Sequence, residues 1–210
     1  MPKCSLETMV CRREKLIDAC EKLYQTKTFD EITLKEIGDE AEFTRTAIYS
    51  YFQTKEEIFL ALLQREYGKW IKELENIEQT KVKLTASKLA KMLALSLQNR
   101  VQLLKLVSMN LYAIEENSRP ENLVEFKKTY KAAVGALENC LKKLKPALSE
   151  AEIEAFIYQF LPFMFGLYPY AFPSVKQKSA MKKAGMKFKK STVSGLASAA
   201  VLKLLEKNKK

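Results

Sequence analysis

Along this chain a serine or threonine followed three positions later by glutamate, and then by apolar residues at helical spacing, marks Thr33 with Glu36, Thr54 with Glu57, and Ser149 with Glu152. In such a box each side chain satisfies a backbone N–H that a helix start leaves without a partner, so each box predicts where a helix begins. Between the boxes the helical period persists. Leu16, Ile17, Cys20, Leu23 and Tyr24 mark one face of a helix over about 6–25, and Ile58, Phe59, Leu62, Leu63, Tyr67, Trp70, Ile71 and Leu74 mark a long one over about 55–79. Further helices are expected at about 84–97, 100–116, 120–144 and 150–168, with a last one from Thr192 to Lys207. No run alternates β-branched and polar residues between turn signals, and six glycines and six prolines in 210 residues are too few for a chain of hairpins. The expected fold class is therefore all-α.

The chain contains no histidine, which removes the commonest general base, the catalytic triad and the commonest metal ligand together. Cys4, Cys11, Cys20 and Cys140 show no CxxC spacing, so neither a metal site nor a redox motif is expected, and no disulfide. With no clustered carboxylates or nucleophile motif either, the chain does not read as an enzyme and calls for no cofactor. The first fifteen positions have charged residues scattered throughout and lack the apolar stretch of a secretory signal, which points to a cytoplasmic protein. The longest apolar stretch, Phe156 to Val175, is interrupted by Pro162, Pro169 and Pro173, so no membrane partner is expected.

The net charge of +11 is unevenly placed: residues 1–53 carry −2, 54–173 carry +3 and 174–210 carry +10. Any anion-binding argument from bulk charge points to the C-terminal segment, where the lysines from Lys176 to Lys190 read as a solvated loop. An N-terminal argument has to rest on geometry instead.

That geometry is specific. A short helix opens at Thr33 with Leu34, Ile37 and Ala41 on its buried face, the segment Ala41-Glu42-Phe43-Thr44 interrupts it, and Thr44 caps a second short helix running to about Phe52. Two short helices joined by a tight turn, with a helix before and a helix after, describe a helix-turn-helix whose second helix can enter the major groove of double-stranded DNA. Arg45 is the best base reader, since a guanidinium can contact guanine O6 and N7 together, while Thr44 and Thr46 reach base or phosphate and Ala47 is short enough to meet a thymine methyl. Thr33 serves equally well as a cap alone or as a cap that also meets a phosphate. Leu16-Ile17-Asp18-Ala19, Phe29, Thr33-Leu34, Ile37, Ala41 and the run from Thr44 through Glu57 resemble the tetracycline-repressor (TetR/AcrR) family of bacterial regulators over residues 12–65. The resemblance implies backbone contacts from Tyr49 and Tyr51 and a phosphate contact from Lys55. It also marks a departure, because the family often has glycine in the turn where this chain has Glu42, and glutamate there is expected to strain the turn by about 1 kcal/mol.

The expected organisation is a helix-turn-helix domain over 1–54 and a larger helical domain over 55–210 for ligand binding and dimerisation, linked by the helix at about 55–79. The aromatic stretch Phe156 to Phe172 dominates the second part. Tyr112, Phe126, Tyr130, Phe156, Phe160, Phe163, Met164 and Tyr168 are candidates to line a pocket for a small hydrophobic or aromatic effector, with core or interface packing as the alternative for each. The resemblance implies a homodimer closed by a bundle of the last two long helices, and a repressor released from a palindromic operator by its effector. The competing reading is a helical small-molecule or lipid-binding dimer that has lost DNA affinity.

Overall fold

Two of the three capping boxes close as their spacing predicts. In the computed structural model, which describes residues 6–144, 146–187 and 189–207, the Thr33 hydroxyl accepts from the Glu36 amide while the Glu36 carboxylate accepts from the Thr33 amide. Ser149 and Glu152 make the same exchange. At Thr54 only half the box forms. Its hydroxyl accepts from the Glu57 amide at 3.2 Å, but the Glu57 carboxylate takes the Gln53 amide instead, at 2.8 Å, because an arginine far along the chain also engages it.

The described residues form α1 (Leu6–Thr26), α2 (Leu34–Ala41), α3 (Arg45–Tyr49), α4 (Lys55–Glu78), α5 (Ala86–Gln98), α6 (Val101–Met109), α7 (Leu111–Glu116), α8 (Pro120–Lys142), α9 (Glu150–Ala171), α10 (Val175–Lys183) and α11 (Val193–Lys207). No strand occurs among them, and the fold is all-α. Three details differ from the periodicity. The helix expected over 100–116 is broken at Asn110, whose backbone leaves the helical region and whose side-chain oxygen accepts from the Tyr24 hydroxyl at 3.0 Å. The helix expected to stop near 168 runs through both Pro162 and Pro169 to Ala171; each proline removes one ladder bond, and the turns on either side continue. The lysine-rich stretch expected as a loop contains α10, opened by a box in which Gln177 plays the part of glutamate toward Ser174.

Two compact units divide the chain. The first runs to Arg65 and takes in Asn110–Lys128; the second comprises Glu66–Met109 and the chain from Thr129 onward. Helices α4 and α8 each contribute to both.

In the first unit α1 buries Leu16, Ile17, Ala19, Cys20 and Tyr24, and these close over Phe29, Ile32, Ile37, Ile48, Phe52, Ile58 and Phe59. The Phe59 ring is the hub, meeting Tyr24 edge-on at 5.1 Å and Phe29 at 4.8 Å. With five residues, α3 is too short to stand alone. It is held by Ile48, which is 1% exposed, and by the close approach of α2. A Cβ on Gly38 would lie 2.7 Å from Ile48 Cδ1 and 3.0 Å from the Phe43 carbonyl oxygen, so only glycine lets the two helices meet this closely. The turn between them does require the left-handed region. Glu42 sits at φ 60° and ψ 40°, and the Phe43 amide closes the helix end on the Gly38 carbonyl at 2.8 Å. The geometry a glycine would adopt freely is thus formed by glutamate under strain. Glu42→Gly is expected to raise the midpoint of chemical unfolding of this unit by the equivalent of about 1 kcal/mol, and an unchanged or lower midpoint would contradict the strain.

In the second unit α5 packs most extensively against α11, and α9 packs against both α6 and α11. The small buried residues Ala90 and Ala94 of α5 and Ala197 of α11 suit such close pairing. Trp70 is fully buried, and its indole N–H donates to Ser96 Oγ at 3.1 Å, while that hydroxyl donates to the Leu93 carbonyl at 2.8 Å. Cys20 and Cys140 are buried and Cys11 exposed, all three as free thiols; Cys4 lies outside the described residues. Burial pushes the Cys140 thiol up to about 12, which leaves it unreactive.

Candidate nucleic-acid interface and effector region

The first turn of α3 is presented to solvent. Thr44 caps it, its hydroxyl accepting from the Ala47 amide at 3.3 Å, and Thr44, Arg45, Thr46 and Tyr49 are all exposed. Arg45 and Tyr49, one turn apart, are pre-assembled. The guanidinium Nε and Nη2 both donate to the Tyr49 hydroxyl, at 3.2 and 3.1 Å, and its carbon lies 5.7 Å from the centre of the Tyr49 ring. This contact limits the rotamers of a long side chain before any partner arrives. Ala47 is half-buried, and Tyr51 is half-buried with its ring 6.4 Å from that of Phe43.

Lys55 opens α4 but does not simply project. Its ammonium donates to the carbonyls of Phe29 at 2.8 Å and Ile32 at 3.1 Å and stands 4.3 Å from the centre of the Phe29 ring. It therefore fastens the connection between α1 and α2, with one N–H left for an outside acceptor. Thr33, Thr44, Arg45 and Lys55 together line one concavity of about 790 Å³ between α2, α3 and the start of α4. Thr46, Ala47, Tyr49 and Tyr51 lie outside that lining. Lys35, exposed on α2, belongs to it and was not singled out by the sequence, because an isolated lysine on a helix has no distinguishing pattern.

Half of the acids of the N-terminal segment are engaged by cations, Glu14, Asp18, Glu21, Glu36 and Glu40 among them. Arg65 gathers three acids of α1, donating to Glu14 at 2.6 Å, Asp18 at 2.7 Å and Glu21 at 2.9 Å. Burial lowers its affinity for a proton, but the bonds to Glu14 and Asp18 outweigh that and leave it raised. Lys27 pairs with Glu36 at 2.6 Å and Lys22 with Glu40. The Lys27 hydrogen bond, then those of Thr33, hold the Glu36 carboxyl at about 2. Of the cations on the concave face, Lys35, Arg45 and Lys55 all pair with no acid among the described residues.

A buried carboxylate anchors a further ion pair in this unit. Glu57 is buried, and Arg119 grips it in a fork, Nε donating at 2.6 Å and Nη2 at 3.0 Å, with the Arg119 amide adding a third bond at 3.2 Å. Thr54 donates to the Asn117 carbonyl at 3.0 Å. No spacing in the sequence marks this pair, since its members are 62 residues apart.

The aromatic candidates separate between the units. Tyr112, which is 80% exposed, and the buried Phe126 belong to the first. Phe156, Phe160 and Met164 are buried on α9, the two rings stacked 5.4 Å apart, with Phe163 and Tyr168 half-buried on the same helix. Tyr130 meets Tyr67 edge-on at 5.6 Å and lines an open groove between α8 and α9. Helix α6, packed on α9, carries polar atoms inside: Gln102 Nε2 and Ser108 Oγ are buried without a protein partner, and burial depresses the Lys105 ammonium. No spacing in the sequence distinguishes these polar residues from the solvent-facing side of a helix.

Residues 16–62 match the family described as bacterial regulatory proteins, tetR family, and residues 64–199 match the tetracyclin repressor-like C-terminal domain. The HTH-type transcriptional regulator YuxN of Bacillus subtilis is 27% identical over 146 residues, which is 69% of this chain and 45% of that protein. The chain spans less than half the length of the curated relatives it matches. Among solved structures, a TetR/AcrR-family regulator from Thermobifida fusca superposes with a TM-score of 0.62 at 16% identity, covering 95% of this chain and 98% of that one. FadR from Bacillus subtilis, solved in complex with stearoyl-CoA, gives 0.58 at 18% identity, covering 91% and 96%. No described helix is long and apolar enough to cross a membrane. With both of its parts matched, the chain belongs to the tetR family of bacterial regulatory proteins and joins an N-terminal helix-turn-helix part to a helical, tetracyclin repressor-like C-terminal domain.

Proposed function

We propose that this protein is a cytoplasmic, non-enzymatic repressor that binds a palindromic operator as a homodimer and leaves it when an apolar effector with a polar head occupies the second unit. The observation that carries the DNA half is the exposed, pre-assembled Arg45–Tyr49 pair at the start of α3, above a concave face supplied with Thr33, Thr44 and Lys55. Arg45 reads base edges, Thr46 and Ala47 support it, and Tyr51 and Lys55 meet the backbone. The effector half is supported by the stacked Phe156 and Phe160, with Met164, on α9, and by the buried polar atoms of Gln102 and Ser108 on α6, which an effector head could satisfy. Phe163 and Tyr168 stand half-buried on the same helix, while Tyr130 lines the separate groove between α8 and α9. The FadR structure, with its stearoyl-CoA, makes a long-chain acyl compound the first probe.

The mechanism is a population shift. The effector favours a dimer whose two reading helices no longer match successive major grooves, about 34 Å apart. The test is fluorescence anisotropy of the full chain on duplex DNA from its own upstream region, with stearoyl-CoA titrated in while Trp70 emission is followed. Specific binding that falls as the Trp70 signal saturates is expected. A Trp70 response with no sequence-preferring DNA binding on any selected duplex would favour a ligand-binding dimer without DNA affinity.

A further inference from the structure

One face of α9 is left exposed by the described residues. Glu154, Tyr158, Pro162, Gly166 and Tyr170 follow one another at four-residue intervals and are all exposed, the two tyrosines at 74% and 75%. Beside this ridge, α8 and α9 enclose the groove of about 670 Å³, with apolar walls that include Val134, Ile157 and Leu161. Its charged lining is acidic in a strongly basic chain: Glu138, Glu150 and Glu154 against Lys142, which lies 4.0 Å from Glu138. Neither Glu150 nor Glu154 makes an ion pair among the described residues.

The opposite charge begins just past the other end of the same helix. Three residues after α9 ends, α10 carries Lys176, Lys178, Lys182 and Lys183 with no acid, buries none of its residues and leaves Val175 85% exposed. Acid at the start of α9 and base beyond its end make the ridge self-complementary in one sense only. Two copies paired with their α9 helices parallel would set glutamates against glutamates. Paired antiparallel about a two-fold axis near Pro162, each copy sets its α10 beside the glutamate end of the other, because residues equally far from the axis on opposite sides meet.

We infer that α9 of one copy packs antiparallel on α9 of a second copy, and that the lysine-bearing α10 of each docks at the groove bounded by Glu138, Glu150 and Glu154 of the other. This rests on the homodimer proposed above and adds to it the orientation, the register and the role of the C-terminal lysines. Charge complementarity sets orientation and partner choice, while the apolar ridge supplies the buried area.

The experiment is sedimentation equilibrium of the full chain at about 50 mM and about 300 mM salt. It compares wild type, Glu150→Lys/Glu154→Lys, Lys176→Glu/Lys178→Glu and an equimolar mixture of the two variants. Every substituted position is exposed, and circular dichroism checks that each variant is folded. Each reversal sets like charges together at two symmetric sites and is expected to weaken dimerisation about tenfold or more at low salt. The mixture restores opposite charges at both sites and is expected to dimerise within about threefold of wild type. Reversals that leave the dimer unchanged, or a mixture no tighter than its components, overturn the docking while the homodimer stands. A wild type that stays monomeric up to about 100 µM overturns both, since interfaces of standard size bind at about micromolar or tighter. If the lysine reversal instead abolishes salt-sensitive binding to unrelated DNA without touching association, the lysines serve a polyanion and the docking is wrong.

Discussion

Substituting alanine for Arg45 is expected to weaken operator binding at least thirtyfold, since a bidentate base contact contributes about 1–3 kcal/mol and a dimer carries two. Stability should change by less than about 0.5 kcal/mol, because the described partner of the guanidinium is the exposed Tyr49. Arg45→Lys separates two roles. It keeps the charge and loses the planar fork, so it should recover nonspecific affinity and its salt dependence while leaving most of the sequence preference lost. Anisotropy against operator and scrambled duplexes measures both. Full recovery by lysine would make Arg45 a phosphate contact and move the base reading elsewhere on α3.

Arg119→Ala is the substitution expected to damage the fold most. It removes the cation from a carboxylate with no exposed side-chain surface, and because the Arg119 side chain is itself 40% exposed the cost lies below that of a fully buried pair, at about 2–3 kcal/mol. Glu57→Gln in the same chain should return part of that, since the neutral amide no longer needs a counter-charge. The pH dependence gives an independent check. Burial pushes the Glu57 carboxyl up, but the Arg119 side chain, the Gln53 amide and the Arg119 amide more than offset it and leave it below its ordinary 4.5. A depressed native carboxyl adds stability above its ordinary range and loses it as the pH falls through the native value. Without Arg119 the burial is no longer offset, the native value rises above the ordinary one, and the sign reverses. The deficit of the variant, read from urea midpoints, should then be largest at neutral pH and shrink toward about pH 4. A deficit independent of pH would place the loss in packing rather than in the ion pair.

What the sequence made legible was local. Capping boxes and helical stripes are written within four to eight residues of one another, so α1 to α5, α8 and α11 lie close to where the pattern puts them. The reading helix was legible for the same reason, as a cap, a turn and an exposed arginine. Features that depend on distant residues were not. Asn110 breaks a helix while bonded to Tyr24, 86 positions away, and Glu57 abandons its own capping box for Arg119. Gly38 looks ordinary until Ile48 is seen pressed against it. The helix inside the lysine-rich segment carries no apolar stripe to read, because α10 buries none of its residues and only Ser174 with Gln177 marks its start. Glu42 shows the reverse case, where a residue unsuited to its conformation adopts it because the surrounding helices fix the path.

The first unit is discontinuous in sequence: its N-terminal part is completed by Asn110–Lys128 only after the chain has made the excursion Glu66–Met109. During synthesis the emerging reading head must therefore wait with Glu57 lacking its arginine, and it closes a long loop when residue 119 leaves the ribosome. A fragment cut at the end of the helix-turn-helix would never receive that closure. To graft this specificity onto another regulator, the exchanged cassette has to carry two separated stretches of chain rather than one.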